Sequence, residues 1–398
     1  MREGAPFQSQ GIAPSAATSS RITNHNDADS AGHLFRAALA ILERALFDDA
    51  RPFAFLLGAG SSCSLSDPRG NQLIPDLAGL TARIRTQLAT PHEALSVLED
   101  TLVADGTSTP TVEHWLTRLR TMALIAGGDS IRGMTAIQIE RLEAAIVEQI
   151  VDIVTVALPA DGGGFDAVSR WAGAFDRRFP LEIFTLNYDL LMEQSLERHR
   201  VAYFDGFLGA YEPFLDLRTM EDDSLPTRWT RLWKMHGSVN WSADGARIFR
   251  ASAGAGNRSK SLVHPSHLKY DQSRRMPYLA MQDRLRSYLR QDGALLLIEG
   301  YSFADEHINE ILIEGLAGNP SAVAFALLFK PLGEHEEAVR IATRTPNVRL
   351  MGPDGAVIGG TRAPWQQSED LQRVAPSEIG NFARLSNLLQ FEEGAESA

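Results

Sequence analysis

"FAFLLGAGSS", residues 53–62, is the stretch that decides the fold of this chain. An unbroken run of five apolar residues is typical of a strand covered on both faces, as in a parallel sheet between helices. The run leads directly into Gly58, Ala59 and Gly60, and glycines let a backbone turn sharply and approach another group closely. A phosphate-binding turn and an ordinary tight turn both fit these residues, and the stretch alone leaves the two interpretations open.

Further apolar runs follow along the chain. They are "LEIFTL" (181–186), "TRLWKM" (230–235), "ALLLI" (294–298), "AVAFALLF" (322–329) and "NVRLM" (347–351). Several are continuous rather than alternating, as expected of strands that lie between two layers of helices. The pattern predicts an α/β fold with a Rossmann-like, mostly parallel sheet.

The stretch between the first two strands is too long for one crossover helix, and its pattern is helical. In "IQIERLEAAIVEQIVDIV" (137–154) the apolar residues recur at steps of three and four, which marks one face of a helix. We predict a helical insertion at about 81–178 inside a main domain at 31–350. A flexible arm at 1–30 and an extension at 351–398 flank that domain. A Gly- and Ser-rich stretch at 243–261 predicts a mobile loop.

Composition excludes several classes of protein. The net charge is −12, from 50 acidic and 38 basic residues, whereas a sequence-independent grip on nucleic acid needs clustered Lys and Arg. The single cysteine, Cys63, excludes internal disulfides and a zinc site built on several thiolates. No apolar run is long enough to span a bilayer, and the first 30 residues lack the core of a signal peptide. We expect a cytoplasmic protein with no bound metal and no direct nucleic-acid or membrane contact.

Polar residues follow three of the later strand candidates. Asn187, Tyr188 and Asp189 come after the second strand, at the edge where ligands bind in open α/β sheets. For Asp189 a helix cap is the favoured interpretation. His236 and Gly237 follow the third strand, and a histidine there suits general-base chemistry or a structural role.

The fourth strand is followed by "EGYSFADEHIN" (299–309), which contains Gly300 and Ser302. Asp305 is expected to cap the next helix, and capping and packing are favoured over a metal pair with His307.

The order of these motifs, "GAGSS", "NYD", "MHG" and "EGYSFADEHIN", resembles that of sirtuin-like domains over about residues 50–330. "IPD" (74–76) also looks like the proline-aspartate stretch after the sirtuin glycine loop. "TLNYDLLMEQ" and "GYSFADEHINEIL" are closer to the bacterial sirtuin-like proteins of antiphage defence than to the deacetylases.

The resemblance implies NAD as substrate and an NAD+ hydrolase that releases nicotinamide and ADP-ribose. It implies that Asn187 holds the ribose or the attacking water and that His236 acts as a base. The residues implied to bind the nucleotide are Gly58, Ala59, Gly60, Ser61, Ser62, Asp76, Tyr188, Asp189, Gly237, Gly300 and Ser302. It also implies a homo-oligomer that works with a HerA-type ATPase or another defence partner and depletes NAD during infection.

The departures from the family matter as well. Deacetylating sirtuins carry a four-cysteine zinc module after the His-Gly motif, but residues 238–293 contain no cysteine. That absence counts against an NAD-dependent protein deacylase, which stays open as an alternative together with an ADP-ribosyltransferase. A non-catalytic module that senses NAD or ADP-ribose is the third possibility.

Overall fold

The computed structural model describes most of the chain in nine ranges, which are 37–88, 93–126, 130–174, 177–221, 224–244, 247–250, 261–263, 277–365 and 374–389. The flexible arm predicted at 1–30 lies outside the described residues, as do residues 251–260 of the predicted mobile loop.

Sixteen strands are present in the described residues. Along the chain they are β1 (Phe53–Leu57), β2 (Ser130–Ile131), β3 (Met134–Thr135), β4 (Glu182–Thr185), β5 (Tyr203–Phe204), β6 (Phe207–Leu208), β7 (Phe214–Leu215), β8 (Thr230–Lys234), β9 (Gly237–Asp244), β10 (Arg247–Arg250), β11 (Ser261–Val263), β12 (Leu295–Glu299), β13 (Val323–Leu327), β14 (Val348–Gly352), β15 (Gly355–Ile358) and β16 (Thr361–Pro364).

The helices of the described residues are α1 (37–46), α2 (Ala59–Cys63), α3 (Leu77–Leu88), α4 (Glu93–Ala104), α5 (Val112–Ile125), α6 (Ala136–Val154), α7 (Gly163–Gly173), α8 (Leu191–Arg198), α9 (Leu217–Glu221), α10 (Tyr278–Leu289), α11 (Glu306–Gly318), α12 (Glu336–Arg344) and α13 (Ser386–Leu389).

A nine-stranded sheet in the order β16-β15-β14-β13-β12-β1-β4-β8-β5 forms the centre of the molecule. In this spatial order every neighbouring pair from β14 to β5 is parallel. Strand β15 pairs antiparallel with both β14 and β16. The predicted α/β fold with a mostly parallel sheet is therefore confirmed. All six predicted strands lie in this sheet, at its centre.

Alternation along β1 explains why its sequence is apolar without interruption. Phe53, Phe55 and Leu57 belong to one buried cluster, and Ala54 and Leu56 belong to the other. Successive side chains of a strand point to opposite faces, so both faces need apolar residues when helices cover both. The first cluster includes α1 and α3–α8, and the second includes α10–α12.

Helices α3–α7 and the β2–β3 hairpin fill the stretch between β1 and β4. Helix α6 begins with a capping box in which Thr135 accepts from Gln138 N and the Gln138 side chain accepts from Thr135 N. The face predicted for this helix is buried, since Ile139, Leu142 and Ile146 are each at most 1% exposed. The boundaries predicted for the helical insertion stay predictions.

The sheet and the core continue past residue 350. Strands β15 and β16 extend the sheet, and residues 374–389 pack into the first buried cluster through Ile379, Phe382 and Leu388. A Cβ on Gly380 would lie 2.1 Å from the carbonyl carbon of Leu328, so the two backbones touch directly. The extension predicted at 351–398 is thus in contact with the core over its described part.

A second, antiparallel sheet in the order β11-β9-β10-β7-β6 combines β6 and β7, which precede β8 in the chain, with β9–β11, which follow it. Strands β9–β11 lie at the place in the sequence where deacetylating sirtuins carry their zinc module. The prediction of a mobile loop at 243–261 is wrong for residues 243–244, 247–250 and 261, which lie in strands. Ladder hydrogen bonds hold such residues even where their composition is polar and glycine-rich.

Candidate functional site

The carboxyl ends of four neighbouring parallel strands meet at one edge of the main sheet. These strands are β12, β1, β4 and β8, in that spatial order. Gly58, Asn187, His236 and Gly300 follow them directly or within two residues. Because parallel strands end at the same edge, the structure brings these four predicted site residues together.

The turn after β1 and the turn after β12 approach each other so closely that glycines are required at this edge. Gly58 N donates to Glu299 O at 2.9 Å, and Gly60 N donates to Gly300 O at 2.8 Å. A Cβ on Gly58 would lie 2.4 Å from Gly300 O, and one on Gly300 would lie 2.3 Å from Ser61 N. Gly300 also has φ +64°, in the region that favours glycine. Backbone packing alone accounts for the glycines, and Ala59 and Gly60 remain exposed at the surface of the turn.

The Asn187 carboxamide connects the second strand end to the glycine turn. Its Nδ2 lies 3.0 Å from Gly58 O, 3.0 Å from Ser61 Oγ and 2.9 Å from Ser62 Oγ, and its two N–H groups are shared among these three acceptors. Because the backbone oxygen of Gly58 can only accept a hydrogen bond, the Asn187 amide atom that contacts it must be the nitrogen. Asn187 Oδ1 has no hydrogen-bond partner in the part of the chain that the structure describes. The turn therefore holds the amide nitrogen and leaves the oxygen as a fixed acceptor.

The serines predicted to bind nucleotide turn their hydroxyls inward. Ser61 Oγ donates to Gly58 O at 2.7 Å, and Ser62 Oγ donates to Asp189 Oδ2 at 2.6 Å. Asp189 Oδ1 accepts from Leu191 N at 3.0 Å, which is the helix-start role that the sequence favoured. Ser61, Ser62 and Asp189 thus hold Asn187 and the turn in place, and all three are buried.

His236 contacts Asp305 and so joins the third and fourth strand ends. Its Nε2 lies 2.9 Å from Asp305 Oδ2, and the two side chains are 14% and 6% exposed. Asp305 also caps α11, because its Oδ1 accepts from His307 N and Ile308 N. A carboxylate accepts, so Nε2 carries the proton and Nδ1 is the basic nitrogen of the neutral imidazole. The sequence predicted the cap but not the pairing with His236.

Tyr188 lies beside His236, with ring centroids 6.4 Å apart. Burial raises the pKa of the Tyr188 phenol well above its usual value, and the negative charges of Glu113 and Asp305 add to that rise. The phenol therefore stays protonated at neutral pH and can only donate or accept a hydrogen bond. Glu113 belongs to α5, so the helical insertion lies close to this edge of the sheet. The sequence did not single out Glu113.

The other predicted site residues occupy different positions. Asp76 is exposed and accepts from Gly79 N at 2.8 Å, which makes it the cap of α3. Gly237 begins β9 with φ +89°, and Ser302 is exposed between two buried neighbours. Among the described contacts, the side chain of Asp76 makes none with Asn187 or His236.

Cys63 ends α2, between the turn and Asp76. Burial raises the pKa of its thiol to about 11, and the negative charges of Asp76 and Asp189 act in the same direction. Because the thiolate rather than the thiol is the nucleophile, Cys63 is inert at neutral pH.

Glu299 is a buried carboxyl that the sequence analysis did not single out. It ends β12 next to the turn, is 1% exposed, and its Oε2 has no hydrogen-bond partner in the described part of the chain. Its strand neighbours are Leu57 and Leu327. Burial among apolar residues raises the pKa of Glu299 well above its usual value, because a charged carboxylate is poorly solvated there.

Glu299→Gln is expected to make the protein more stable than the wild type, by a margin that grows with pH. The unfolded chain releases the proton near pH 4.5, whereas the folded protein keeps it up to a higher pH, so wild-type stability falls as pH rises between these values. The slope is about 1.4 kcal/mol per pH unit for one proton. Urea unfolding of both proteins at several pH values from 5 to 8 measures it. Parallel curves for the two proteins would show that Glu299 ionises normally, and Glu306→Gln, at an exposed position, is the control.

Two kinds of feature are absent from the described residues. They contain no group of three or more His, Cys, Asp or Glu side chains that is able to hold a metal ion. None of the described helices combines the length and the apolar character that crossing a bilayer requires.

Residues 181–350 match the family described as the SIR2-like domain. The match supports a sirtuin-like domain in this part of the chain, and such a domain implies NAD as a substrate or cofactor. No curated protein matches the chain. The matched range includes Asn187, His236 and Gly300, whereas the glycine turn at 58–62 precedes it. The hydrogen bonds of Asn187 connect that turn to the matched domain.

Proposed function

We propose that this protein hydrolyses NAD+ at the bond between nicotinamide and ribose, releasing nicotinamide and ADP-ribose. The observation that carries the proposal is the fixed Asn187 carboxamide, whose Oδ1 is free to accept at the sheet edge where the His236–Asp305 pair also lies. The exposed backbone of Ala59 and Gly60 is on the same edge and supports nucleotide binding there.

The reaction needs little acid catalysis. Nicotinamide leaves as a neutral molecule when its bond to C1′ breaks, and both bonding electrons go to the ring nitrogen that was cationic. The ribose gains oxocarbenium character, as in glycoside cleavage. Positioning and electrostatic support then supply most of the rate. A water adds to C1′ and loses one proton, which balances the reaction.

Each residue has a defined task in this scheme. Asn187 Oδ1 accepts a hydrogen bond from a ribose hydroxyl or from the attacking water. His236 takes the proton through Nδ1, and Asp305 keeps the imidazole in the tautomer that leaves Nδ1 basic. Tyr188 stays neutral, so it adds no negative charge beside the imidazole.

Incubation of the purified chain with NAD+ and chromatography of the products tests the proposal. We expect nicotinamide and ADP-ribose in equal amounts, without an added peptide. Turnover that requires an acetylated peptide would instead indicate a deacylase, and transfer of ADP-ribose to protein would indicate a transferase. Tight NAD binding without nicotinamide release would indicate a sensing module.

The family resemblance also supports a proposal about the oligomeric state, the partner and the cellular role of this protein. We propose a cytoplasmic homo-oligomer that acts with a HerA-type ATPase and depletes NAD in antiphage defence. The measurement is the mass of the purified chain, with and without a HerA-type ATPase, together with the rate of NAD loss. A monomer whose rate and mass do not respond to the ATPase would contradict it.

A further inference from the structure

A cavity of about 410 Å³ lies at the opposite edge of the main sheet. Leu181, Ala202 and Thr230, at the amino ends of β4, β5 and β8, form its floor. Six residues separate Leu181 from Asn187, so at about 3.3 Å per residue the cavity is roughly 20 Å from the candidate site. Its size is within the range of small-molecule sites.

The lining of this cavity is cationic. Arg177, Arg200, Arg228 and His199 contribute to it, together with the hydroxyl-bearing Thr227 and Thr230. No carboxylate is among the described lining residues. In a chain with 50 acidic and 38 basic residues, three guanidinium groups around one cavity without a lining acid are unusual.

Two helix ends at the cavity do not cancel this charge. Helix α7 ends at Gly173 and α8 ends at Arg198, and both ends border the cavity. The carbonyl end of a helix carries about half a negative charge, so two such ends supply roughly one against three guanidinium charges. Asp166 lies 3.1 Å from His199 Nε2, and it is not part of the described lining.

Arg200 stands where the backbone favours glycine. Val201 N donates to Leu196 O at 2.9 Å and Arg200 N donates to Glu197 O at 3.0 Å, which is the Schellman pattern at the end of α8. Arg200 is its left-handed residue, with φ +56°. Glycine is usual at this position because a Cβ there costs free energy. Arg200 is thus a strained residue in the lining of the cavity.

Arg177 and Arg228 also line the cavity. The Arg177 guanidinium stacks on the Trp171 ring, 3.7 Å from its centroid. Burial lowers the Arg177 pKa to about 10, the negative charge of Asp49, which is outside the described lining, opposes that shift, and Arg177 stays charged at neutral pH. Within the described part of the chain, Arg200 and Arg228 make no ion pair. Guanidinium forks of this kind suit the paired oxygens of a phosphate group.

We propose that this cavity is a second ligand site, which binds a phosphate-bearing organic molecule through Arg177, Arg200 and Arg228. The cavity is larger than a phosphate ion needs, and its remaining wall combines Thr227, Thr230 and His199 with Leu181, Val201 and alanines. The ligand therefore has a phosphate end and a body that carries hydroxyl groups. This site is independent of NAD cleavage at the other edge.

Calorimetric titration of the full chain with ribose 5-phosphate, with ribose and with inorganic phosphate tests the proposal. We expect binding of ribose 5-phosphate, weaker binding of inorganic phosphate and none of ribose. Arg200→Gly and Arg228→Gln should each weaken binding about tenfold to a hundredfold, as expected for a lost charged hydrogen bond. Equal affinity for inorganic phosphate and ribose 5-phosphate would contradict the proposal that the cavity also binds the organic part of its ligand.

The controls separate this site from its alternatives. Arg132→Gly is the matched variant, because Arg132 also has positive φ, +48°, and lies in the β2–β3 hairpin away from the cavity. It should bind as the wild type does, and so should Asn187→Ala. Arg200→Gly removes strain, so it should be at least as stable as the wild type in thermal unfolding. No binding of ribose 5-phosphate, or unchanged binding by Arg200→Gly and Arg228→Gln, would overturn the proposal.

Discussion

His236→Ala is expected to lower the rate of NAD+ cleavage by about 10²–10⁴-fold, the usual cost of losing a general base. The parallel ladder between β12, β1, β4 and β8 holds the strand ends in place when this side chain is removed. Asn187→Ala should cause a comparable loss, because Asn187 supplies the fixed acceptor at the same edge. The measurement is the initial rate of nicotinamide release at saturating NAD+.

The variant Asp305→Asn tests whether Asp305 positions the His236 imidazole or only caps α11. The amide still caps α11, but it no longer holds the proton on His236 Nε2 as a carboxylate does. We expect a lower kcat with a shifted pH profile and a nearly unchanged KM. A merely structural role for Asp305 would lower stability and leave the pH profile where it was.

The control for the histidine variant is His335→Ala. His335 is half-buried and follows β13, and the charged groups that act on it are Glu334, Lys330 and Asp354, none of which belongs to the candidate site. Its replacement should leave NAD+ cleavage unchanged. Wild-type rates in His236→Ala and Asn187→Ala would rule out the assigned roles, and a loss in His335→Ala of similar size would show that the effect is not specific.

Gly58→Ala is expected to destabilise the protein by about 3 kcal/mol or more, at the upper end for overpacked sites. The new Cβ would lie 2.4 Å from Gly300 O and 2.7 Å from Tyr301 Cα, and both are backbone atoms that cannot rotate away. Separation of the two turns would also break the bond from Gly60 N to Gly300 O. The measurement is the midpoint of urea unfolding, with NAD+ cleavage measured on the folded fraction.

Gly318→Ala is the matched control. Gly318 ends α11, and a Cβ on it would have no atom within 4 Å among those described. Its replacement should change the free energy of unfolding by about 1 kcal/mol or less. If Gly58→Ala unfolded at the same urea concentration as Gly318→Ala, the close approach of the two turns would not exist in solution.

The central part of the fold was predictable because its signals are strong. A strand covered on both faces is continuously apolar, and α6 repeats its apolar residues at the helical period over 19 residues. The elements that escaped prediction are short or polar, such as the two residues of β5 and the glycine-rich hairpin of β15 and β16. Their pairing depends on neighbours that are distant in the sequence.

The sequence predicted which residues gather at the candidate site better than it predicted the contacts between them. Gly58, Asn187 and His236 each follow a buried strand, and the carboxyl ends of parallel strands share an edge whatever the loops between them do. The pairing of His236 with Asp305 and the inward hydroxyls of Ser61 and Ser62 needed coordinates.

The sheet, its two apolar faces and the edge at which polar residues gather therefore follow from the sequence alone, through periodicity and the position of each residue after its strand. Which side chain bonds to which depends on the folded arrangement. Folding places Glu299 beside Leu57 and Leu327 and gathers arginines from three loops around one cavity. The physical reason is that hydrogen bonds and charge contacts depend on distances of a few ångström between residues far apart in the chain, which no local pattern records.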